Sequence, residues 1–204
     1  MKIILSDISK RFSTNWVLKK VNFEFLSGGV YGVKGANGSG KSTLMKIISS
    51  QLSATRGDVK YTNAQNEKVL KSRVADQISF AAPYIYPLEN LSLREMFDFH
   101  YIFRNMREGI DYQLFIEYLE YPFKEDQLIK YYSSGMKQRI SLAFSILTFS
   151  DLILLDEPTS YLDEKGKVWF HSLLKNYKQK STVIISTNNK EDLLDCTEVL
   201  GLSH

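Results

Sequence analysis

Segments near both ends of the chain show the hydrophobic patterns of β-strands. Residues 16–25 (WVLKKVNFEF) alternate between apolar and polar side chains, which is typical of a half-buried strand. Residues 30–33 form a short β-prone run after the Ser-Gly-Gly turn at 27–29. The LILL run at 152–155 is continuously apolar, as in a parallel strand that is buried on both faces, and TVIIS at 182–186 reads as another strand.

Apolar residues at helical spacing lie between these strands. They predict helices over 41–52, 136–149 and about 164–179, and a helical segment over roughly 91–130 that is rich in aromatic and charged residues. Strand–helix alternation at both ends with a helical insert favours a parallel α/β core plus a smaller helical lobe. Six aromatic residues are expected to lie mostly in the core of that lobe: Tyr84, Tyr86, Phe97, Phe99, Tyr101 and Phe103.

Length and composition restrict the class of protein. The 204 residues suit one domain, and 26 Lys and Arg against 23 Asp and Glu give a net charge of +3, which argues against a nucleic-acid binder. A single cysteine, Cys196, excludes an intrachain disulfide and favours an intracellular protein. The longest apolar stretch, 140–155, is shorter than the roughly 20 residues of a spanning helix and contains Asp151, so we expect no membrane crossing. The histidines show no metal-ligand spacing: His100, His171 and His204.

One glycine-rich loop has the composition of a phosphate-binding loop. It lies between the predicted strand at 30–33 and the predicted helix at 41–52, and it fits the pattern G-x-x-x-x-G-K-[ST]. Its residues are Gly35, Ala36, Asn37, Gly38, Ser39, Gly40, Lys41, Ser42 and Thr43. Glycines let consecutive N–H groups point at phosphate oxygens, and the N-terminus of the helix adds positive charge. Lys41 is expected to contact the outer phosphates, and the Ser42 hydroxyl is expected to ligate Mg²⁺.

Two carboxylates follow the apolar run at 152–155. Ligands bind at the carboxyl ends of parallel strands, which is where this run places Asp156 and Glu157. We expect Asp156 to hold Mg²⁺ through water and Glu157 to polarise an attacking water at the γ-phosphate. Together with the phosphate loop, the two acids predict a nucleotide-hydrolysis site.

A third motif resembles the signature of ABC-transporter ATPases. Residues 132–139 (YSSGMKQR) are similar to LSGGQ followed by a QR pair. Ser133, Gly135 and the QR pair match, whereas Tyr132 replaces the Leu, Ser134 the first glycine and Met136 the Gln. Serine hydroxyls and N–H groups at a helix N-terminus also suit an anion on physical grounds. Further segments carry the resemblance across almost the whole chain, with Phe12 in the place of the aromatic residue that stacks on adenine.

The resemblance implies a fold and a domain organisation. The expected fold is an α/β P-loop NTPase with a RecA-like parallel-sheet core, an N-terminal antiparallel β subdomain and an inserted helical subdomain. The whole chain would be a single ATP-binding domain, with its core over approximately 1–90 and 136–204 and the helical subdomain over approximately 91–135.

The resemblance also implies a function. Two such domains, forming a homodimer or a heterodimer, bind ATP and Mg²⁺ head to tail, so that Ser133, Ser134 and Gly135 cap the γ-phosphate held by the partner's loop. Hydrolysis then drives an integral membrane permease on a separate chain, at the cytoplasmic face of the cell membrane. A minority of the aromatic residues of the helical lobe would form the groove for a cytoplasmic helix of that permease.

Two positions depart from the family pattern. Residues 78–84 align with the family's Q-loop, and Pro83 stands where the family carries a Gln that contacts Mg²⁺ or the attacking water. Gln77 lies close by but is expected before the strand, so it does not fill this place. Asn188 stands where relatives carry a His that touches the γ-phosphate; an amide can donate a hydrogen bond but cannot pass a proton. We therefore expect a slow ATPase that retains Lys41 and Glu157.

Two alternatives stay open from the sequence. One is a catalytically weak switch that dimerises on nucleotide binding without meaningful turnover. The other is a soluble ABC ATPase of cofactor assembly, which would be a single domain of similar size. Co-purification with an integral membrane partner separates the second alternative from a transporter subunit.

Overall fold

The structure is a computed structural model that describes residues 1–85, 87–124, 126–177 and 181–202. Its strands are β1 (Lys2–Phe12), β2 (Asn15–Phe25), β3 (Val30–Lys34), β4 (Arg56–Thr62), β5 (Lys68–Val69), β6 (Ile78–Ala81), β7 (Leu152–Asp156), β8 (Thr182–Thr187) and β9 (Glu198–Gly201). Its α-helices are α1 (Lys41–Ile48), α2 (Lys71–Val74), α3 (Leu93–Phe103), α4 (Tyr112–Leu119), α5 (Ser134–Leu147) and α6 (Glu164–Tyr177).

The described chain divides into two compact units. The first contains residues 1–80, 150–157 and 181–202, and the second contains residues 81–149 and 158–177. The first unit holds both sheets and α1, and the second holds α3 to α6. The predicted helical subdomain over 91–135, with a core over 1–90 and 136–204, stays a prediction.

Two sheets form the first unit. One is antiparallel, with the strand order β2-β1-β4-β5, and the other has the order β6-β7-β8-β3-β9. In the second sheet β3 runs parallel to β8 and β9, and β7 runs parallel to β8. Because the carboxyl ends of parallel strands meet at one edge, Lys34 pairs with Thr187 and Asp156 pairs with Ser186 there. This edge positions the candidate site.

The core of the first unit lies between the sheets and α1. Residues of every one of these elements are fully buried in it, among them Ile3, Phe25, Ile48, Leu154 and Ile184. The strands β7 and β8 are buried at every position, which confirms the buried parallel strands predicted from their apolar runs.

Helix caps and aromatic packing define the second unit. Ser92 begins α3 with a capping box, in which its side chain accepts from the Glu95 N–H and the Glu95 carboxylate accepts from the Ser92 N–H. The rings of Phe97, Phe115 and Phe144 join α3, α4 and α5, with Phe115 and Phe144 centroids 4.6 Å apart.

Most predicted elements exist, and their ends differ by a few residues. Helix α1 stops at Ile48 rather than at 52, because Ser50 adopts a left-handed φ of 61° that ends a right-handed helix. Helix α5 starts at Ser134 rather than at 136, because the Ser133 side chain caps it by accepting from the Met136 N–H. The last residues of the helix predicted over 164–179 lie outside the described residues.

The expectation that the aromatic residues lie mostly in the core is wrong. Phe97 is buried, whereas four others are 42–68% exposed: Tyr84, Phe99, Tyr101 and Phe103. The reason is that α3 buries only the face that carries Leu93 and Phe97. Phe99 and Phe103 have the same i, i+4 spacing but lie on another face, where their tilted rings contact each other. Tyr86 and His204 lie outside the described residues. Among the helices that the structure describes, none has the length and apolarity needed to span a bilayer.

Candidate functional site

The phosphate loop takes its shape from two glycines. Gly38 and Gly40 have φ angles of 85° and 97°, in the left-handed region that favours glycine. A Cβ on Gly40 would also lie 2.7 Å from Leu18 Cδ2. Gly40 precedes the first residue of α1 and carries no side chain to cap it. The first N–H groups of α1 therefore remain available to an anion at the positive end of the helix.

Lys41 lies at the centre of a polar cluster. Its side chain is 6% exposed, and its ammonium donates to the Gly35 carbonyl at 2.9 Å and to Asn188 Oδ1 at 3.2 Å. Its Nζ also lies 3.3 Å from Glu157 Oε1. A fourth oxygen, the Ala36 carbonyl, lies 3.5 Å from Nζ, so protein contacts take up all three N–H donors of the ammonium. An incoming phosphate therefore has to replace at least one of these protein contacts.

Glu157 is held in a conformation that few residues other than glycine adopt. It follows β7 with a φ of 45°, and its N–H donates to the Ser186 carbonyl at 2.7 Å. Its carboxylate Oε2 lies 3.3 Å from Thr187 Oγ1 and accepts from the Asn188 N–H at 3.4 Å. Strained backbone of this kind costs about 1–3 kcal/mol and clusters at functional sites. In this conformation the other carboxylate oxygen, Oε1, faces Lys41.

Asp156 and Ser42 offer the oxygen ligands that suit Mg²⁺. Asp156 is buried at the end of β7, where it accepts a short hydrogen bond from the Ser186 hydroxyl, and Ser42 lies partly exposed in the first turn of α1. Among the described residues, no group of three or more His, Cys, Asp or Glu side chains could hold a metal without other ligands. Mg²⁺ keeps waters and takes phosphate oxygens as ligands, so a hydroxyl and one carboxylate fit it.

Asn188 forms hydrogen bonds with the phosphate loop and with Glu157. Its Oδ1 accepts from Lys41, while its Nδ2 donates to Asn37 Oδ1 at 2.5 Å. Its backbone N–H donates to Glu157. The structure thus brings together four residues predicted to share the site: the loop residues Asn37 and Lys41, the acid Glu157, and Asn188 in place of the family's His.

Comparison with known proteins decides the family. Residues 18–160 match the family model described as ABC transporter. The chain belongs to the ABC transporter family. It is 30% identical over 209 aligned residues to YybJ of Bacillus subtilis (strain 168), an uncharacterized ABC transporter ATP-binding protein, with 97% of this chain and 91% of that protein covered.

Solved structures of the ABC transporter family share the fold. An ABC transporter ATP-binding protein from Pyrococcus furiosus matches with a TM-score of 0.82 and 25% identity, over 99% of this chain and 98% of that one. The dimeric, post-hydrolysis ATP-binding cassette MJ0796 with ADP and Pi matches with a TM-score of 0.81 and 23% identity, over 98% and 94% of the chains. The predicted P-loop NTPase fold is confirmed, and this ABC protein is an ATP-binding transporter subunit and an ATPase.

The ABC signature begins α5 in the second unit. Ser133 caps the helix, and Ser134 and Gly135 are its first two residues. A Cβ on Gly135 would lie 2.8 Å from the Tyr161 carbonyl, so this position requires glycine. Tyr132, in place of the family's Leu, is buried and donates its hydroxyl to the Lys124 carbonyl at 2.8 Å. Burial raises the pKa of the Tyr132 phenol.

Two other predicted positions of this ABC protein are located by the structure. Phe12 ends β1 and is 47% exposed, with Lys10 Nζ 5.1 Å from its ring centroid. An exposed ring at this position offers a stacking surface for a base. Gln77 ends a 3₁₀ turn immediately before β6, which confirms that it precedes the strand, and Pro83 follows that strand.

Sequence reasoning missed three polar residues of the site. Ser186 binds Asp156, and Thr187 lies between the Glu157 and Asp192 carboxylates. The position of Ser186 and Thr187 at the carboxyl end of β8 was a usable signal, because ligands gather at that edge. Asp192 lies in a 3₁₀ turn, Glu191–Leu193, and no pattern in the sequence marks it.

Proposed function

We propose that this ABC protein hydrolyses ATP at the site formed by the phosphate loop, Glu157 and Asn188, with slow turnover. The observation that carries the proposal is that Lys41, Glu157 and Asn188 contact one another beside the phosphate loop. A cation, a carboxylate and an amide at a helix N-terminus suit a nucleotide's outer phosphates and a water that attacks them.

Each residue has a separate role in the proposed reaction. The loop N–H groups and Lys41 bind the β- and γ-phosphates, and Glu157 is released from Lys41 and orients the attacking water. Mg²⁺, held by Ser42 and Asp156, supplies charge neutralisation when it is bound. Phe12 stacks on the adenine. Asn188 donates its amide N–H to the γ-phosphate.

The proposed turnover is slow because Asn188 cannot take up a proton. General acid–base groups contribute on the order of 10²–10⁴-fold to rates, so the absence of the family's His removes part of that factor. Glu157 is present and its position is fixed by the Ser186 and Asn188 contacts, which favours residual hydrolysis over a switch without turnover.

The proposed assembly has two ATP-binding domains and a permease. ABC ATP-binding subunits form dimeric cassettes and partner with membrane permeases, and the structural relative MJ0796 is a dimer with ADP and Pi. We infer that Ser133, Ser134 and Gly135 cap the γ-phosphate held by a second ATP-binding subunit. The permease is a separate integral membrane chain, and this subunit lies at the cytoplasmic face of the membrane.

Steady-state ATP hydrolysis by the purified full chain tests the proposal. Wild type is compared with Glu157→Gln, which keeps the shape but removes the carboxylate, and with Glu191→Gln as the matched control at an exposed position. We expect Mg²⁺-dependent phosphate release that Glu157→Gln lowers by about 100-fold and Glu191→Gln leaves unchanged. Equal background rates in wild type and Glu157→Gln would show that this site does not hydrolyse ATP.

A further inference from the structure

Thr187 brings a hydroxyl group next to the carboxylate of Glu157. It is the last residue of β8, and its side chain is 1% exposed. Its Oγ1 lies 3.3 Å from Glu157 Oε2 and 3.0 Å from Asp192 Oδ2, and it accepts from the Asn189 N–H at 3.0 Å. The hydroxyl is therefore surrounded on three sides by polar partners.

The single proton of the Thr187 hydroxyl has two carboxylate acceptors within reach. A threonine hydroxyl has a single O–H donor, and the Asn189 N–H already occupies one of its acceptor positions. Its proton is therefore directed at either Glu157 or Asp192. Asp192 is 2% exposed, so bulk water does not compete for its contact with Thr187. The orientation of the hydroxyl couples the two carboxylates.

The coupling matters when Lys41 leaves Glu157. In the structure Glu157 Oε1 pairs with Lys41, and Oε2 faces Thr187 and the Asn188 N–H. When Lys41 moves to bind a phosphate, the contacts at Oε2 have to keep the Glu157 carboxylate in its orientation. Both contacts at Oε2 are long, 3.4 Å from the Asn188 N–H and 3.3 Å from the Thr187 hydroxyl, so neither donor alone fixes the carboxylate and the two have to act together.

We propose that Thr187 is a positioning residue for Glu157, and that Asp192 acts on Glu157 through Thr187. Asp192 accepts the Thr187 proton while Glu157 pairs with Lys41, and the hydroxyl turns to Glu157 once Lys41 has moved, so the two carboxylates compete for one proton. This inference rests on the proposed function, since it assigns residues that orient the proposed water-activating carboxylate.

Substitution of Thr187 tests the hydroxyl. Thr187→Val keeps the branched shape and removes the O–H, and Thr187→Ser keeps the O–H. Full-length variants are compared by kcat per ATP site, with sites counted by nucleotide titration so that only folded protein enters the rate. We expect Thr187→Val to lower kcat about tenfold, the low end for a hydrogen bond to a charged group, with the Kd for MgATP within about twofold of wild type. Thr187→Ser restores most of the lost rate.

Substitution of Asp192 tests the path through Thr187. Asp192→Asn replaces the competing carboxylate by a weaker, neutral acceptor, so kcat is expected to rise severalfold beside the native Thr187. The same substitution is expected to have no effect in the Thr187→Val protein, because non-additive effects identify residues that act through one another. Thr187→Ala provides the same comparison with a smaller side chain if the valine variant yields no nucleotide-binding protein.

Three results would overturn the inference: a Thr187→Val protein with the wild-type kcat, Ser and Val variants that are equally slow, or an Asp192→Asn effect that adds fully in the Thr187→Val protein. Glu157→Gln is measured in parallel. If that variant matches wild type, the proposed function fails; if it is slow while Thr187→Val is not, only the positioning role fails.

Discussion

Replacement of Asn188 by alanine is expected to weaken ATP binding. The Asn188 amide makes two side-chain contacts with the phosphate loop: it accepts from Lys41 at 3.2 Å and donates to Asn37 at 2.5 Å. In the proposed complex its N–H donates to the γ-phosphate instead of to Asn37, and alanine offers no donor at this position. The variant therefore loses one hydrogen bond to a charged group.

The size of the effect follows from the hydrogen bond gained and the one given up. A bond to a charged group is worth about 1.5–3 kcal/mol and a neutral one about 0.5–1.5 kcal/mol. The bond to the γ-phosphate replaces the neutral bond to Asn37, so a net of roughly 1 kcal/mol is lost in the alanine variant. That corresponds to about fivefold weaker binding.

Isothermal titration with ATP in the absence of Mg²⁺ measures this affinity without turnover. Asn176→Ala, at an exposed position of α6, is the matched control and is expected to bind as wild type does. Unchanged or tighter binding by Asn188→Ala would refute the reasoning, because the Asn188 amide would then make no net contribution to phosphate binding.

Two further predictions concern the second unit. Gly135→Ala places a Cβ 2.8 Å from the Tyr161 carbonyl and should lower the free energy of unfolding by about 1–3 kcal/mol, a Tm loss of a few degrees. The control is Gly201→Ala, whose Cβ meets nothing within 4 Å, so it should lower Tm less. Equal Tm losses would contradict the steric explanation. Burial, reinforced by Arg104, lowers the pKa of His100 to about 4, so folded His100 stays neutral where the unfolded side chain, with a pKa near 6.5, takes up a proton. Stability should therefore fall by about 2 kcal/mol between pH 7.5 and 5, and the urea midpoint of His100→Gln should fall less; equal falls would exclude His100 as the cause.

The elements that carry the site were predictable because their patterns are local. The LILL run before Asp156 and Glu157 requires a strand buried on both faces, and the glycines around Ser39 permit the loop that follows β3. Parallel pairing then brings their ends to one edge of the sheet. The sequence alone therefore predicts that the candidate catalytic residues lie close together.

The contacts within the site depend on pairings that are distant in sequence. The Lys41 bond to Asn188 and the Thr187 bond to Glu157 arise because β8 lies between β3 and β7, an order that periodicity does not specify. The exposure of Phe99 and Phe103 was also unpredictable, since the i, i+4 spacing gives the face they share and not what that face contacts.

Single-turnover hydrolysis of ATP tests the central claim most directly. Full-length protein in excess over radiolabelled ATP and Mg²⁺ is quenched at intervals, and the fraction converted to ADP is followed for wild type and Glu157→Gln. The account predicts that wild type converts its bound ATP while Glu157→Gln retains it about 100-fold longer at similar affinity. Conversion at the same rate by both proteins, or retention of ATP by both, would contradict it.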